Sequence, residues 1–198
     1  MSGTPLLRRQ PAQRRGAERV DRLLDACGQL LDEGGYQALT TRAVAERAGS
    51  SIGSFYQFFA DKAALVAAFG QRNLDRFTVR IVAQLEAAPQ DHWTGLVDVV
   101  LDEYVRMRRT VPGFGVVDFA QLGSDETSDL VARRLAELAA VSLEVPDTPE
   151  LRRALRVAVE VAETLVRYAF RADPSGSPEL LAEARQVILR YLEPHLTR

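Results

Sequence analysis

The stretch 40-TTRAVAERAGSSIGSFYQFFADKAAL-65 opens and closes like an amphipathic helix, but its middle, SSIGSFYQFF, breaks the period. Thr40 reads as an N-cap, because its hydroxyl can accept from the free amides of the following turn. The helix it opens is short, about 41–48, and turns Val44 and Ala48 inward. Gly49 ends it, and Ser50 or Ser51 caps another helix two residues later. So tight a connection predicts two helices that cross steeply, as in a helix-turn-helix. The second of them, about 51–58, rises ~1.5 Å per residue into a rod about 12 Å long, which suits the ~12 Å width of the B-DNA major groove. On this rod Ile52, Phe55 and Phe59 share one face, the two phenylalanines acting as anchor, while Ser54, Tyr56 and Gln57 point away from it. Gly53 leaves room where the helix passes another backbone, or DNA, closely. One face is core and the other stays polar and flat, which accounts for the broken pattern.

Asp61 caps the next helix, and Lys62 sits in its first turn. A cation there opposes the helix dipole at a cost of about 0.3–1 kcal/mol. A phosphate would offset it; the other reading is an exposed lysine tolerated at that cost. Upstream, Val20, Leu23, Leu24, Cys27, Leu30 and Leu31 form one apolar stripe that stops at Gly34-Gly35, the usual punctuation of a helix C-terminus. Cys27 lies within the stripe, which points to packing and not to thiol chemistry.

Composition sets bounds. The chain has 198 residues, 46% hydrophobic and 26% charged, which marks a globular protein. Residues 1–80 carry twelve Arg and Lys against eight Asp and Glu, and the remainder thirteen against nineteen. A basic front and acidic rear fit a polyanion meeting the N-terminal part, or simply a solvated surface. One cysteine excludes an intramolecular disulfide, and two distant histidines, His92 and His195, offer no metal-ligand spacing. No metal or other cofactor is expected. The apolar run in MSGTPLLRRQ ends after two leucines, and no uncharged apolar run approaches the ~20 residues that span a bilayer. A soluble, cytoplasmic protein with no membrane partner is expected. Alternation of apolar and polar residues never persists, so the fold class is all-α.

Residues 48–65, AGSSIGSFYQFFADKAAL, together with the preceding helix and Gly-Gly turn, resemble the TetR family of one-component transcriptional regulators. The family pattern is Ala-Gly-Val-Ser, two residues including a Gly, an apolar-Tyr pair, an aromatic or His before Phe, and a Lys shortly after. Ser50 departs from the usual Val, which weakens packing under the turn, and Phe58 from the usual His or Tyr, which removes a polar group near the backbone and with it support for phosphate contacts at that edge. The named motifs span about residues 13–65; the rest matches in length and helicity. The resemblance implies an N-terminal helix-turn-helix DNA-binding domain (1–60, with its basic arm) and a C-terminal helical bundle (61–198) for ligand binding and dimerisation, about nine helices in all. It implies that Thr40, Thr41, Tyr56 and Lys62 touch phosphates and that Ser51, Ile52, Ser54 and Gln57 face the groove. Arg42 could reach a base or a phosphate. The arm residues Arg8, Arg9, Arg14 and Arg15 either track the DNA, as homeodomain arms do, or form a charged tail.

Beyond residue 80, Pro89 and Asp91 mark a break, after which Trp93, Leu96, Val97, Val100, Tyr104 and Met107 form a broad stripe typical of a helix inside a bundle. Pro112, Gly113 and Gly115 then loosen the chain around Phe114 and Phe119. By the resemblance these helices enclose a small-molecule cavity, so Trp93, Tyr104, Met107, Phe114 and Phe119 are the candidate lining for an apolar or aromatic effector; filling a core is the alternative use. From about 150 to 171, Ala154, Ala158 and Ala162 recur every four residues beside Leu165, and from about 178 to Pro194 the stripe includes Leu181, Val187, Ile188 and Tyr191. Small residues at that spacing let helices approach closely, and two such helices could form a four-helix bundle with a symmetry mate. Homodimerisation on an inverted-repeat operator, with repression relieved by a ligand, follows from the resemblance; activation or corepressor dependence are variants of it. An enzyme would need a catalytic pair, for which Glu160 and Glu163 are the nearest candidate, and a helical carrier would leave the polar helix before Lys62 unexplained.

Overall fold

The protein is described by a computed structural model at residues 14–90, 92–117, 125–143 and 145–196. Among these residues there are eight helices and no strand: α1 (Arg14–Ala38), α2 (Thr41–Arg47), α3 (Ile52–Phe58), α4 (Lys62–Ala87), α5 (Trp93–Thr110), α6 (Asp125–Leu143), α7 (Pro149–Ala172) and α8 (Pro178–Leu196). The all-α expectation holds, with eight helices where about nine were expected. Residues 111–117 form a run of turns, as the expected loosening at Pro112 and Gly113 implies; Gly113 is at φ 76°, a left-handed conformation incompatible with a right-handed helix.

The chain divides into two units: residues 1–73 with 111–118, and residues 74–110 with 119–198. The division falls inside α4. The reason is packing: Leu65 and Phe69 are buried, and Arg72 holds Asp25 of α1 at 2.8 Å.

In the first unit the α1 stripe is buried along its length, from Val20 to Leu31, and the helix breaks at Gly35. Burial pushes the Cys27 thiol up to about 12, with Arg72 opposing the shift only weakly. The thiolate is the reactive species, so Cys27 is expected to ignore Ellman's reagent in the native protein and to react only after denaturation. Release of thiol signal from folded protein would contradict this burial.

In the second unit Trp93, Val97 and Leu101 of α5 share one buried cluster with Ala132 and Ala136 of α6, Leu151, Ala154, Leu155 and Ala158 of α7, and Ile188 and Leu192 of α8. Thr148 caps α7, accepting from the Leu151 amide, with Pro149 opening the helix. Pro194 lies inside α8, whose last turn runs on to Leu196. Glu103 is almost fully buried and is neutralised by Arg106, whose Nε donates at 2.7 Å. Arg185 of α8 clasps Asp98 and Asp102 of α5 at 2.8 and 2.7 Å.

Candidate functional site

The Thr40 hydroxyl accepts from the Ala43 amide at 3.1 Å, capping α2. Ser51, not Ser50, caps α3, accepting from the Ser54 amide at 3.1 Å. In both caps the oxygen is the acceptor, so the hydroxyl proton remains to be donated outward. Between them Gly49 turns the chain at φ 60°, where a side chain would be strained. Helix α3 is held by Phe55 and Phe58, with Phe59 beside them, all buried; the Phe55 and Phe59 ring centroids are 5.7 Å apart.

Two sequence expectations for α3 are corrected here. Ile52 is 49% exposed and does not share the anchored face, whereas Ser54 is buried at 9% and does not face outward. The buried arc is centred on Phe58: Ser54 lies four residues before it, on the same side of the helix, and Ile52 lies six before it, about 120° around at 3.6 residues per turn. A Cβ built on Gly53 would meet only the Ser51 hydroxyl, at 3.9 Å. No neighbouring backbone within the described chain explains that glycine.

The outward surface of this pair carries Thr41, Arg42, Ser51, Ile52, Tyr56 and Gln57. Tyr56 is 44% exposed, and its hydroxyl is 3.5 Å from that of Thr41. Lys62 has a partner that the sequence pattern concealed: its ammonium lies 3.9 Å over the ring of Tyr36 and donates to the Tyr36 carbonyl at 3.4 Å. A cation–π contact of about 0.5–1 kcal/mol at such a site offsets the dipole penalty without a phosphate. The only sequence signal for it is an aromatic directly after Gly34-Gly35. Arg47 is engaged by Glu33 through two hydrogen bonds of 2.7 and 2.8 Å, and this hydrogen bonding holds the Glu33 carboxyl below its usual range. Arg42 is exposed. Arg8 and Arg9 lie outside the described residues.

The second unit carries a half-open apolar pocket of about 70 Å3. Its walls are Leu96, Val97, Val100 and Leu101 of α5 and Leu155, Ala158, Val159 and Ala162 of α7, closed by aliphatic residues of α6 and α8. None of the proposed effector residues lines it. Trp93, Tyr104 and Met107 are buried as packing residues of α5, and Phe114 is buried in residues 111–117 of the first unit; Phe119 lies outside the described residues. Phe114 is drawn away because Gly113 packs directly against Gly28 of α1. A wider groove of about 520 Å3 between α4 and α6 carries Glu86, Arg134 and Glu137 on its walls, whereas the smaller pocket is lined by aliphatic side chains alone.

Residues 23–69 match the family described as bacterial regulatory proteins, tetR family, and residues 91–196, more than half the chain, match the tetracyclin repressor-like C-terminal domain. The chain belongs to the TetR family. A crystal structure of a TetR-family transcriptional regulator from Streptomyces coelicolor is 46% identical, covering 89% of this chain and 98% of that one, with a TM-score of 0.82. The fatty acid degradation regulator FadR from Bacillus halodurans shares the fold at 16% identity, covering 92% and 97% of the two chains, with a TM-score of 0.67. The transcriptional repressor KstR from Rhodococcus jostii is 41% identical over 63 residues, which is 32% of this chain and 30% of KstR. The chain thus matches less than a third of that curated relative. TetR-family membership makes this a transcriptional regulator with a helix-turn-helix, not an enzyme.

The residues expected to pair two copies of this TetR-family chain differ in burial within the single chain. Ala154, Ala158 and Ile188 are buried in the chain's own core cluster, so their small or branched side chains serve the internal approach of α7 and α8. Ala162, Leu165, Leu181 and Tyr191 are half-buried, and Val187 is exposed. The outer face of α7 instead presents Val157, Val161, Leu165 and Tyr168, a helical stripe whose ends are 39% and 48% exposed. No helix among the described residues is long and apolar enough to cross a membrane.

Proposed function

We propose that the chain is a ligand-responsive repressor that binds an inverted-repeat operator as a homodimer in the cytoplasm and leaves it when a small apolar molecule occupies the second unit. The observation that carries the DNA reading is α3 itself: a seven-residue helix anchored by buried phenylalanines, with a polar outward face and a glycine that no internal neighbour explains. Thr40, Thr41, Tyr56 and Lys62 take the phosphates, which set register. Ser51, Ile52 and Gln57 read the groove; Gln can pair with adenine and Ile can meet a thymine methyl. Arg42 serves either role, and Ser54 leaves the list because it is buried. The name repressor belongs to KstR, and a FadR from Thermus thermophilus, also titled a repressor, was solved with lauroyl-CoA. Both support the reading. An effector acts only by binding the DNA-free form more tightly than the bound one, and α4, which contributes to both units, is the continuous element through which it does so.

The test is fluorescence anisotropy on DNA flanking the protein's own gene, against scrambled DNA, across a salt series. Specific binding is expected, with Lys62→Ala lowering the salt slope by about one unit and weakening all sequences alike. Gln57→Ala is expected to lose about 1–3 kcal/mol of discrimination at one base pair. Equal, weak binding to both DNAs by the wild type, unmoved by either substitution, would sink the site assignment.

A further inference from the structure

The cavity walls are entirely Leu, Val, Ile and Ala side chains. Such walls offer a bound water none of the two to four polar partners it needs. They also reject ions, since burying a charge without a counter-charge is prohibitive. The pocket's volume equals little more than two waters at about 30 Å3 each, so an effector must enlarge it by displacing the surrounding cluster. That cluster contains Trp93, which does not itself line the pocket but shares the cluster with Val97, Leu101, Leu155, Ala158, Ile188 and Leu192, six residues that do. The indole is 7% exposed, and its Nε1–H has no hydrogen-bond acceptor among the described residues. Buried N–H groups are ordinarily paired, and each unpaired one calls for an explanation.

We propose that the effector is a hydrocarbon skeleton bearing one uncharged carbonyl oxygen, and that Trp93 Nε1–H donates to that oxygen. The proposal rests on the effector reading of this unit and narrows it from apolar or aromatic to an aliphatic ketone or ester. The walls receive the skeleton by area alone, whereas the single donor discriminates the oxygen. A carboxylate or phosphate in the same place would have one neutral donor to replace its full hydration, and is excluded on that ground.

The probes are 2-octanone and 2-methyl-1-octene, alike in shape and differing by C=O against C=CH2. Each is titrated calorimetrically into the full-length dimer, wild type and Trp93→Phe. The ketone is expected to bind the wild type about ten-fold more tightly than the alkene, the worth of one buried neutral hydrogen bond. Trp93→Phe should bring the ketone to the level of the alkene and leave the alkene within about three-fold. Trp93 is the only tryptophan, so one indole N–H resonance reports on the wild type directly. It should move downfield with ketone and not with alkene, which decides the matter even if Trp93→Phe does not fold. Equal affinities of the two probes, a gap that survives Trp93→Phe, or an unmoved indole resonance would overturn the Trp93 assignment while leaving an apolar site. Failure of both probes to bind at all would instead overturn the effector reading.

Discussion

Tyr168→Lys combined with Val187→Lys is expected to leave a folded monomer whose operator affinity is lower by about 10²–10⁴-fold. The two positions are 48% and 43% exposed, on α7 and α8, so neither lysine strains the chain's own core. Around them Val157, Val161, Leu165 and Leu181 supply apolar surface that is wholly or partly open. A two-fold interface is self-complementary, so every introduced charge appears twice and near its symmetry copy. Lysine is chosen because Arg171 already lies over the Tyr168 ring, 5.4 Å from its centroid; an acidic substitution would find a partner there. Once the dimer is lost, the second half-site is no longer engaged at high effective concentration, and the avidity factor of about 10²–10⁴ disappears. Light scattering at micromolar protein, with anisotropy on whole and half operators, checks both parts. Half-site binding should be unchanged. A variant that still scatters as a dimer would place the interface elsewhere. Ile188→Lys makes the contrast, because it buries a charge in the cluster shared by α5, α7 and α8 and should unfold the unit before it splits any dimer.

The helix-turn-helix was legible because its determinants are local. Thr40 with Ala43, Ser51 with Ser54, and Asp61 with the Ala64 amide are all pairs three residues apart, and Gly49 needs only its own φ. The α1 stripe is likewise a property of one helix. Where the sequence misled, the missing quantity was a partner far along the chain. Lys62 and Tyr36 are 26 residues apart, so the sequence did not show that the cation in the first turn of α4 has an intramolecular partner as well. The alanines at 154 and 158 state that something approaches α7 closely, but not that it is this chain's own bundle and not a second copy. Aromatic side chains in α5 advertise bulk, and bulk fills a core as readily as it lines a pocket; the wall of the cavity turned out aliphatic. On α3 the error was angular. With three buried phenylalanines in five positions, apolarity alone did not fix the centre of the buried arc, and Ile52 and Ser54 exchanged places.

Gly113→Ala is expected to destabilise the protein by about 2–5 kcal/mol and to lower its melting temperature by roughly 10 °C, at ~2–4 °C per kcal/mol for a chain of this size. Two causes add. Gly113 is at φ 76°, where an L side chain costs about 1–2 kcal/mol. Its new Cβ would also lie 2.5 Å from the Gly28 carbonyl oxygen, 2.9 Å from the Gly28 Cα and 2.9 Å from the Leu31 Cβ, none of which can swing aside as the end of a long side chain can. Overpacking of this kind costs about 1–3 kcal/mol. The approach is reciprocal: a Cβ on Gly28 would stand 2.7 Å from the Pro112 carbonyl oxygen and 2.9 Å from the Phe69 ring, so Gly28→Ala should fail in the same way. The Gly113 amide donates to Asp32 at 3.1 Å, and displacing the segment would break that bond and loosen Phe114, which is fully buried. Because residues 111–117 belong to the first unit while the cavity walls belong to α5–α8, operator binding should fall with little change in the affinity of an apolar probe. Gly53→Ala is the control: its Cβ meets only the Ser51 hydroxyl, at an ordinary contact distance of 3.9 Å, so the helix should gain up to about 1 kcal/mol, and any loss of operator affinity would come from the DNA side. A Gly113→Ala protein that melted with the wild type would show that the α1 contact yields, and that the glycine there answers to something other than the closeness of two backbones.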